Sequence, residues 1–129
     1  MKTRPFLPVL GLVASLAVLS TSGCFVAAVG AGAAGVAYLR GDLEVSVDSN
    51  LQRTIAATNR AIDQLQFAKV SENTDALVGT IVARNADDKR IEVRMEGSGT
   101  TQTKLRIRVG VLGDEELSMA IYEKIKDNL

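Results

Sequence analysis

The residues best able to do chemistry in this chain are two adjacent acidic pairs, Asp87-Asp88 and Glu115-Glu116, and a single cysteine, Cys24. A pair of carboxylates is the minimum apparatus for glycoside hydrolysis. The chain has no histidine, which removes the commonest general base, the usual Ser and Cys triads and most transition-metal sites. Asp87-Asp88 falls in a turn, where solvation accounts for it. Glu115-Glu116 falls in the first turn of a helix, where it suits the positive end of the helix dipole. With no tryptophan and 4% aromatic residues, a sugar-stacking cleft is not expected either. No catalytic residue, metal site or cofactor is expected.

Cys24 points to a different chemistry. It follows a basic start (Lys2, Arg4), an uncharged apolar run from Phe6 to Leu19, and the small-residue stretch Ser20-Thr21-Ser22-Gly23. That order is a secretory signal peptide. A small residue before a lone cysteine resembles a bacterial lipobox, with cleavage after Gly23 and lipid attachment at Cys24. Thr21 stands where leucine is commonest. A lone cysteine in an exported protein has no partner in its own chain, and lipidation explains its place beside the cleavage site. Loss of residues 1–23 takes Lys2 and Arg4 and leaves acidic residues in excess by two. A near-neutral chain of this kind argues against nucleic acid as a partner.

Phe25 to Leu39 is uncharged and rich in Ala and Gly. As a helix its 15 residues would extend about 22 Å, short of the roughly 30 Å hydrocarbon core. It reads as a membrane-proximal segment, either a helix with small residues at four-residue spacing or a tether without fixed structure. If no cleavage occurs, Phe6 to Leu39 is long enough to span, and Arg4 then favours a cytoplasmic N-terminus. Residues 41–129 lie outside the inner membrane in either case. Gly30 to Gly35 matches G-x-G-x-x-G, but no βαβ unit can be built around it, so a dinucleotide fingerprint is not supported.

The rest of the chain, 41–129, reads as one small α+β domain. Leu43 to Asp48 alternates apolar and polar, the mark of a half-buried strand. Ser49-Asn50-Leu51-Gln52 fits a capping box with Ser49 as N-cap. Leu51, Ile55, Thr58, Ile62 and Leu65 then place an apolar stripe on a helix to about Gln66. Strands are expected over Phe67–Glu72 and Leu77–Asn85, with a turn at Asn73-Thr74-Asp75, and Ile81 and Ala83 facing inward. Asn85 to Asp88 supplies turn chemistry. Arg90–Glu96 and Lys104–Val109 alternate strictly, and Gly97-Ser98-Gly99 marks the hairpin between them. Ile91, Val93, Met95, Leu105, Ile107 and Val109 form one face. Arg94, Lys104, Arg106 and Arg108 form the other, with Glu92 and Glu96 among them. A last helix opens at Gly113-Asp114-Glu115-Glu116 and carries Leu117, Ile121 and Ile125 at every fourth position. The Gly110–Gly113 stretch is a tight strand-to-helix turn; an anion site there would meet repulsion from Asp114, Glu115 and Glu116. The order βαββββα predicts an antiparallel β-sheet with two helices packed on one face.

The Cys24 lipobox, the Ala/Gly run ending Tyr38-Leu39-Arg40-Gly41, and Arg106-Ile107-Arg108-Val109-Gly110-Val111-Leu112-Gly113-Asp114-Glu115 together resemble a small family of bacterial lipoproteins classed as a domain of unknown function. The resemblance covers almost the whole mature chain, implies the anchor and the fold, and carries over no active site. The expectation is therefore a lipid-anchored, non-enzymatic cell-envelope protein: signal peptide 1–23, membrane-proximal segment 24–40, periplasmic domain 41–129. Phe25 after the cysteine, in place of aspartate, points to the outer membrane of a diderm host. The domain reads as an interaction or assembly module for an envelope protein partner, with Arg94, Lys104, Arg106 and Arg108 as its candidate face. The alternative is a carrier that holds a small apolar ligand between sheet and helices.

Overall fold

The structure, a computed structural model, describes residues 35–129. The segment expected to be a signal peptide, the Gly23–Cys24 junction and almost all of the Ala/Gly run lie outside the described residues. Among those described, the chain forms β1 (Ala37–Leu39), β2 (Asp42–Val47), α1 (Leu51–Gln64), β3 (Ala68–Thr74), β4 (Val78–Arg84), β5 (Arg90–Ser98), β6 (Gln102–Val109) and α2 (Glu115–Asp127). The strands make one antiparallel six-stranded sheet in the order β1-β2-β6-β5-β4-β3. Both helices pack on one face of it, α1 over β4 and β5 and α2 over β2 and β6.

Strand β1 is an addition to the expected order. Ala37, Tyr38 and Leu39 sit at the end of the segment read as membrane-proximal, yet they pair with Glu44, Leu43 and Asp42. The folded domain therefore starts before residue 41. Three residues with mixed composition carry no readable period; only the neighbouring edge of β2 makes them a strand.

Helix α1 starts at Leu51 because Asn50, not Ser49, caps it. The Asn50 Oδ1 accepts from the Arg53 N–H at 2.8 Å, satisfying one of the orphan donors of the first turn. Ser49 is instead pinned to the sheet, where its carbonyl accepts from the Thr103 hydroxyl at 2.8 Å. The helix ends two residues earlier than its stripe implies. Gln66 turns left-handed (φ 59°), so its N–H reaches the Asp63 carbonyl and that of Phe67 the Ile62 carbonyl, a Schellman closure. Thr54 and Thr58, both fully buried, hide their hydroxyls by donating to the carbonyls of Asn50 and Thr54.

The strands follow their alternation. Ile91, Val93, Met95, Leu105, Ile107 and Val109 are all buried, as are Ile81 and Ala83. At full burial each large side chain contributes about 1.5–3 kcal/mol. The β5–β6 hairpin turns two residues later than expected. Gly97 and Ser98 remain in the ladder opposite Thr103 and Gln102, and the chain reverses over Gly99–Thr101. Strand β3 begins and ends one to two residues later than its sequence limits, and all of it is exposed. Its register shifts between Lys69 and Ser71. Lys69 and Glu72 bond each other and Asn59 of α1. A bulge and charges of this kind blunt an open edge.

Candidate functional site

The open face of the sheet is built by period-two alternation on β2, β6, β5 and β4. Register sets its rungs. Asp42, Arg108, Glu92 and Val82 form one row; Glu44, Arg106, Arg94 and Thr80 the next; Ser46, Lys104, Glu96 and Val78 the third. The four expected basic residues thus do lie together, each side chain 40–49% exposed, and no helix covers them among the described residues.

Their charge balance differs from the sequence reading. On β5 and β6 alone the acidic members are Glu92 and Glu96. Pairing of β2 with β6 adds Asp42 and Glu44. Glu44 accepts from Arg106 at 2.8 and 3.0 Å and lies 3.8 Å from Lys104. Arg94 and Arg106 stand directly opposite each other, an unfavourable like-charge register. They turn apart: Arg106 reaches across to Glu44, and Arg94 bends along its own strand to Glu96 at 2.8 Å. That bond from Arg94 holds the Glu96 carboxyl below its usual range. A dimple of about 120 Å³ is lined by Arg94 and Arg106 of this row and Asp42, Glu92 and Arg108 of the next. A face of paired charges can align and discriminate a polar partner, but it holds no large single-sign field.

Arg108 has a different role from its neighbours. Its guanidinium donates to Asp42 at 2.8 Å, to the Val111 carbonyl at 2.7 Å and to the Arg40 carbonyl at 3.3 Å. It therefore clasps the β1–β2 turn to the β6–α2 turn. At that junction Gly113 (φ 84°) abuts Gly41: a Cβ on Gly113 would lie 2.4 Å from the Gly41 Cα and 2.5 Å from the Tyr38 hydroxyl. Only glycine fits a left-handed position this close to another backbone. The clasp pairs Asp42 with Arg108, 66 residues apart, and no local pattern announces it.

The stretches Tyr38–Gly41 and Arg106–Glu115, on which the family resemblance rests, are thus two halves of one junction. A family model described as "Protein of unknown function (DUF3568)" matches residues 8–128. The chain belongs to that family. No curated protein matches it. In this DUF3568 chain the Gly110–Gly113 stretch is a strand-to-helix turn, and the helix end behind it is capped by its own residue. Asp114 accepts from the Leu117 N–H at 3.0 Å and from Lys89 at 3.2 Å. The helix N–H, and then Lys89, hold its carboxyl below the usual range. Asp88 pairs with Arg84 in the turn after β4. Among the described residues no three acidic, His or Cys side chains converge as a metal site, and no helix is long and apolar enough to cross a membrane.

The space between sheet and helices is filled. Leu43, Ile62, Ile81, Ile91, Val93, Met95, Leu105, Ile107, Val109, Ile121 and Ile125 each expose 1% of their surface or less. A void wide enough for one water would leave accessible area on the side chains lining it.

Proposed function

We propose that this chain is a lipid-anchored cell-envelope protein, attached through Cys24, whose small domain is an interaction or assembly module rather than an enzyme. The observation that carries the module reading is the contrast between a closed core and an uncovered sheet face. The filled core counts against the carrier alternative. The open face supplies three rungs across four adjacent strands, with ordered, paired charge on β2, β6 and β5. Such a surface favours a protein partner with complementary alternating charge over a uniformly acidic one. The anchor reading rests on the basic start, the uncharged run and the Gly23–Cys24 junction. The family match begins at residue 8, inside that run, so the apolar segment belongs to the family together with the domain. Outer-membrane placement follows from Phe25 in a diderm host.

Two measurements test this. Fatty-acid labelling of the full chain should be abolished by Cys24→Ser; continued labelling of that variant rules out the anchor assignment. A photo-crosslinking side chain at Thr80, in the middle row of the open face, should yield a discrete adduct in intact cells. Arg94→Gln with Lys104→Gln should weaken that adduct with at most a small loss of thermal stability. The same crosslinker at Lys124, on α2, should give none. Equal adducts from both positions would sink the module reading of the face.

A further inference from the structure

The turn joining β6 to α2 carries two adjacent apolar side chains that point into solvent. Val111 is 86% exposed and Leu112 90%. Single exposed apolar residues are ordinary. Here two stand together, and Leu39, 59% exposed, ends β1 at the adjoining turn. The turn is also braced. Arg108 holds the Val111 carbonyl, and the Leu112 carbonyl packs on Gly41, 2.8 Å from where a Cβ there would lie. An apolar pair that only needed to avoid water could fold back on so short a loop. The clasp keeps it projecting.

We propose that Val111 and Leu112, with Leu39 beside them, form a wedge that dips into the interface of the bilayer to which the chain is anchored. The proposal rests on the anchored reading given above. Three observations choose lipid as the occupant. The sequence before the described residues is uncharged from Phe6 onward, and Gly35-Val36 lead into β1, whose last residue is Leu39. Ten residues lie between Cys24 and Gly35; the eleven steps would reach about 36 Å if extended, ample to let the end of the sheet meet the surface. Arg40, Arg84, Lys89 and Arg90 stand at the same end, against Asp87, Asp88, Asp114, Glu115 and Glu116, so the two signs nearly balance there. That balance fits a zwitterionic, phosphatidylethanolamine-rich surface and disfavours a strongly anionic one. A tethered domain needs only a modest second contact, because the anchor supplies a high effective concentration. Docked this way, the strands stand upright and the open face looks sideways, available to a partner.

The chain has no tryptophan, so Leu112→Trp places a single reporter at the wedge and Leu77→Trp one at the opposite end of the sheet, where Leu77 is 69% exposed. Each variant, as the full processed chain taken from bacterial membranes, is reconstituted into phosphatidylethanolamine-rich vesicles with or without acyl-brominated lipid. The proposal expects the Leu112→Trp emission to shift to the blue and lose most of its intensity to brominated lipid. Added salt should change neither, and the Leu77→Trp emission should stay water-like. A protein that floats with the vesicles while its Leu112→Trp emission is neither shifted nor quenched overturns the wedge and leaves the anchor standing. A protein that fails to float overturns both. A blue shift that grows with protein concentration without lipid quenching assigns the turn to a second copy and overturns the lipid assignment.

Discussion

The two faces of the one sheet are made from the same strands and obey opposite rules. On the helix-covered face every side chain of β5 and β6 that points inward is buried, from Ile91 to Val109. On the open face the residues between them, Glu92, Arg94, Glu96, Lys104, Arg106 and Arg108, are charged and wet. Each covered residue contributes kilocalories through apolar burial. Each open-face ion pair contributes about 0.2–1 kcal/mol. Stability is thus concentrated on one side of the sheet and recognition chemistry is available on the other. Open-face substitutions should therefore change the surface with little effect on the fold.

The sharpest break of that comparison is a pair of neighbours on β6. Ile107→Asp buries a carboxylate with no partner and should cost more than about 4 kcal/mol, enough to unfold a domain this small. Arg106→Gln, one residue away, should cost less than about 1 kcal/mol. Chemical denaturation of both variants measures the difference; equal losses would mean the facing is wrong.

The clasp is an exception on the open face. Gly113→Ala drives a methyl into the Gly41 backbone and forces a left-handed alanine, a strain of about 1–3 kcal/mol. Its midpoint in denaturant should fall clearly, and the α2 amides should exchange faster. Unchanged exchange would show that the junction relaxes freely.

A smaller effect separates the two residues at the start of α1. Asn50→Ala should cost about 1 kcal/mol by removing the cap on the Arg53 N–H. Ser49→Ala should be neutral or slightly stabilising, because the buried Ser49 hydroxyl has no hydrogen-bond partner. The reverse ranking in thermal melts would restore Ser49 as the cap.

The smallest expected effect is a pH dependence. Glu72, Asp75, Glu96 and Asp114 all have carboxyl groups held below their usual range, chiefly by hydrogen bonds from Lys69, the Leu77 N–H, Arg94 and the Leu117 N–H respectively. A carboxyl group with a lowered folded pKa binds its proton more readily unfolded. Its contribution is present above the unfolded carboxylate range and is lost as pH falls through the lowered folded value. Stability should therefore be flat at neutral pH and decline gradually in acid. These groups are exposed or nearly so, and the decline should be shallow. A steep acid transition would reveal a buried carboxylate on the covered side.

Much of this architecture was legible residue by residue. Alternation on β5 and β6 assigned every side chain to its face. Four-residue spacing of Leu117, Ile121 and Ile125 located α2, and Asp114 with Glu115 and Glu116 marked its start. The misreadings arose where local signals competed. Ser49 and Asn50 are both good caps, and the hydrogen bond from distant Thr103 decided between them. Gly97 suggested a turn, but pairing with Thr103 kept it in the strand. The candidate face was legible only by half, since Arg94 and Lys104 to Arg108 announce themselves while their acidic partners on β2 do not.

Side-chain direction has a period set by backbone geometry, two in a strand and 3.6 in a helix, so the chain alone settles which residues seek water and which avoid it. It also carries the basic start, the uncharged run and Cys24, on which the anchor proposal rests. The placing of strands beside one another has no local code: it follows from burying all the apolar stripes at once. That global condition set β2 against β6, made Ala37–Leu39 a strand, gave Arg106 and Arg108 their carboxylates, and brought Gly41 against Gly113 so that Val111 and Leu112 project.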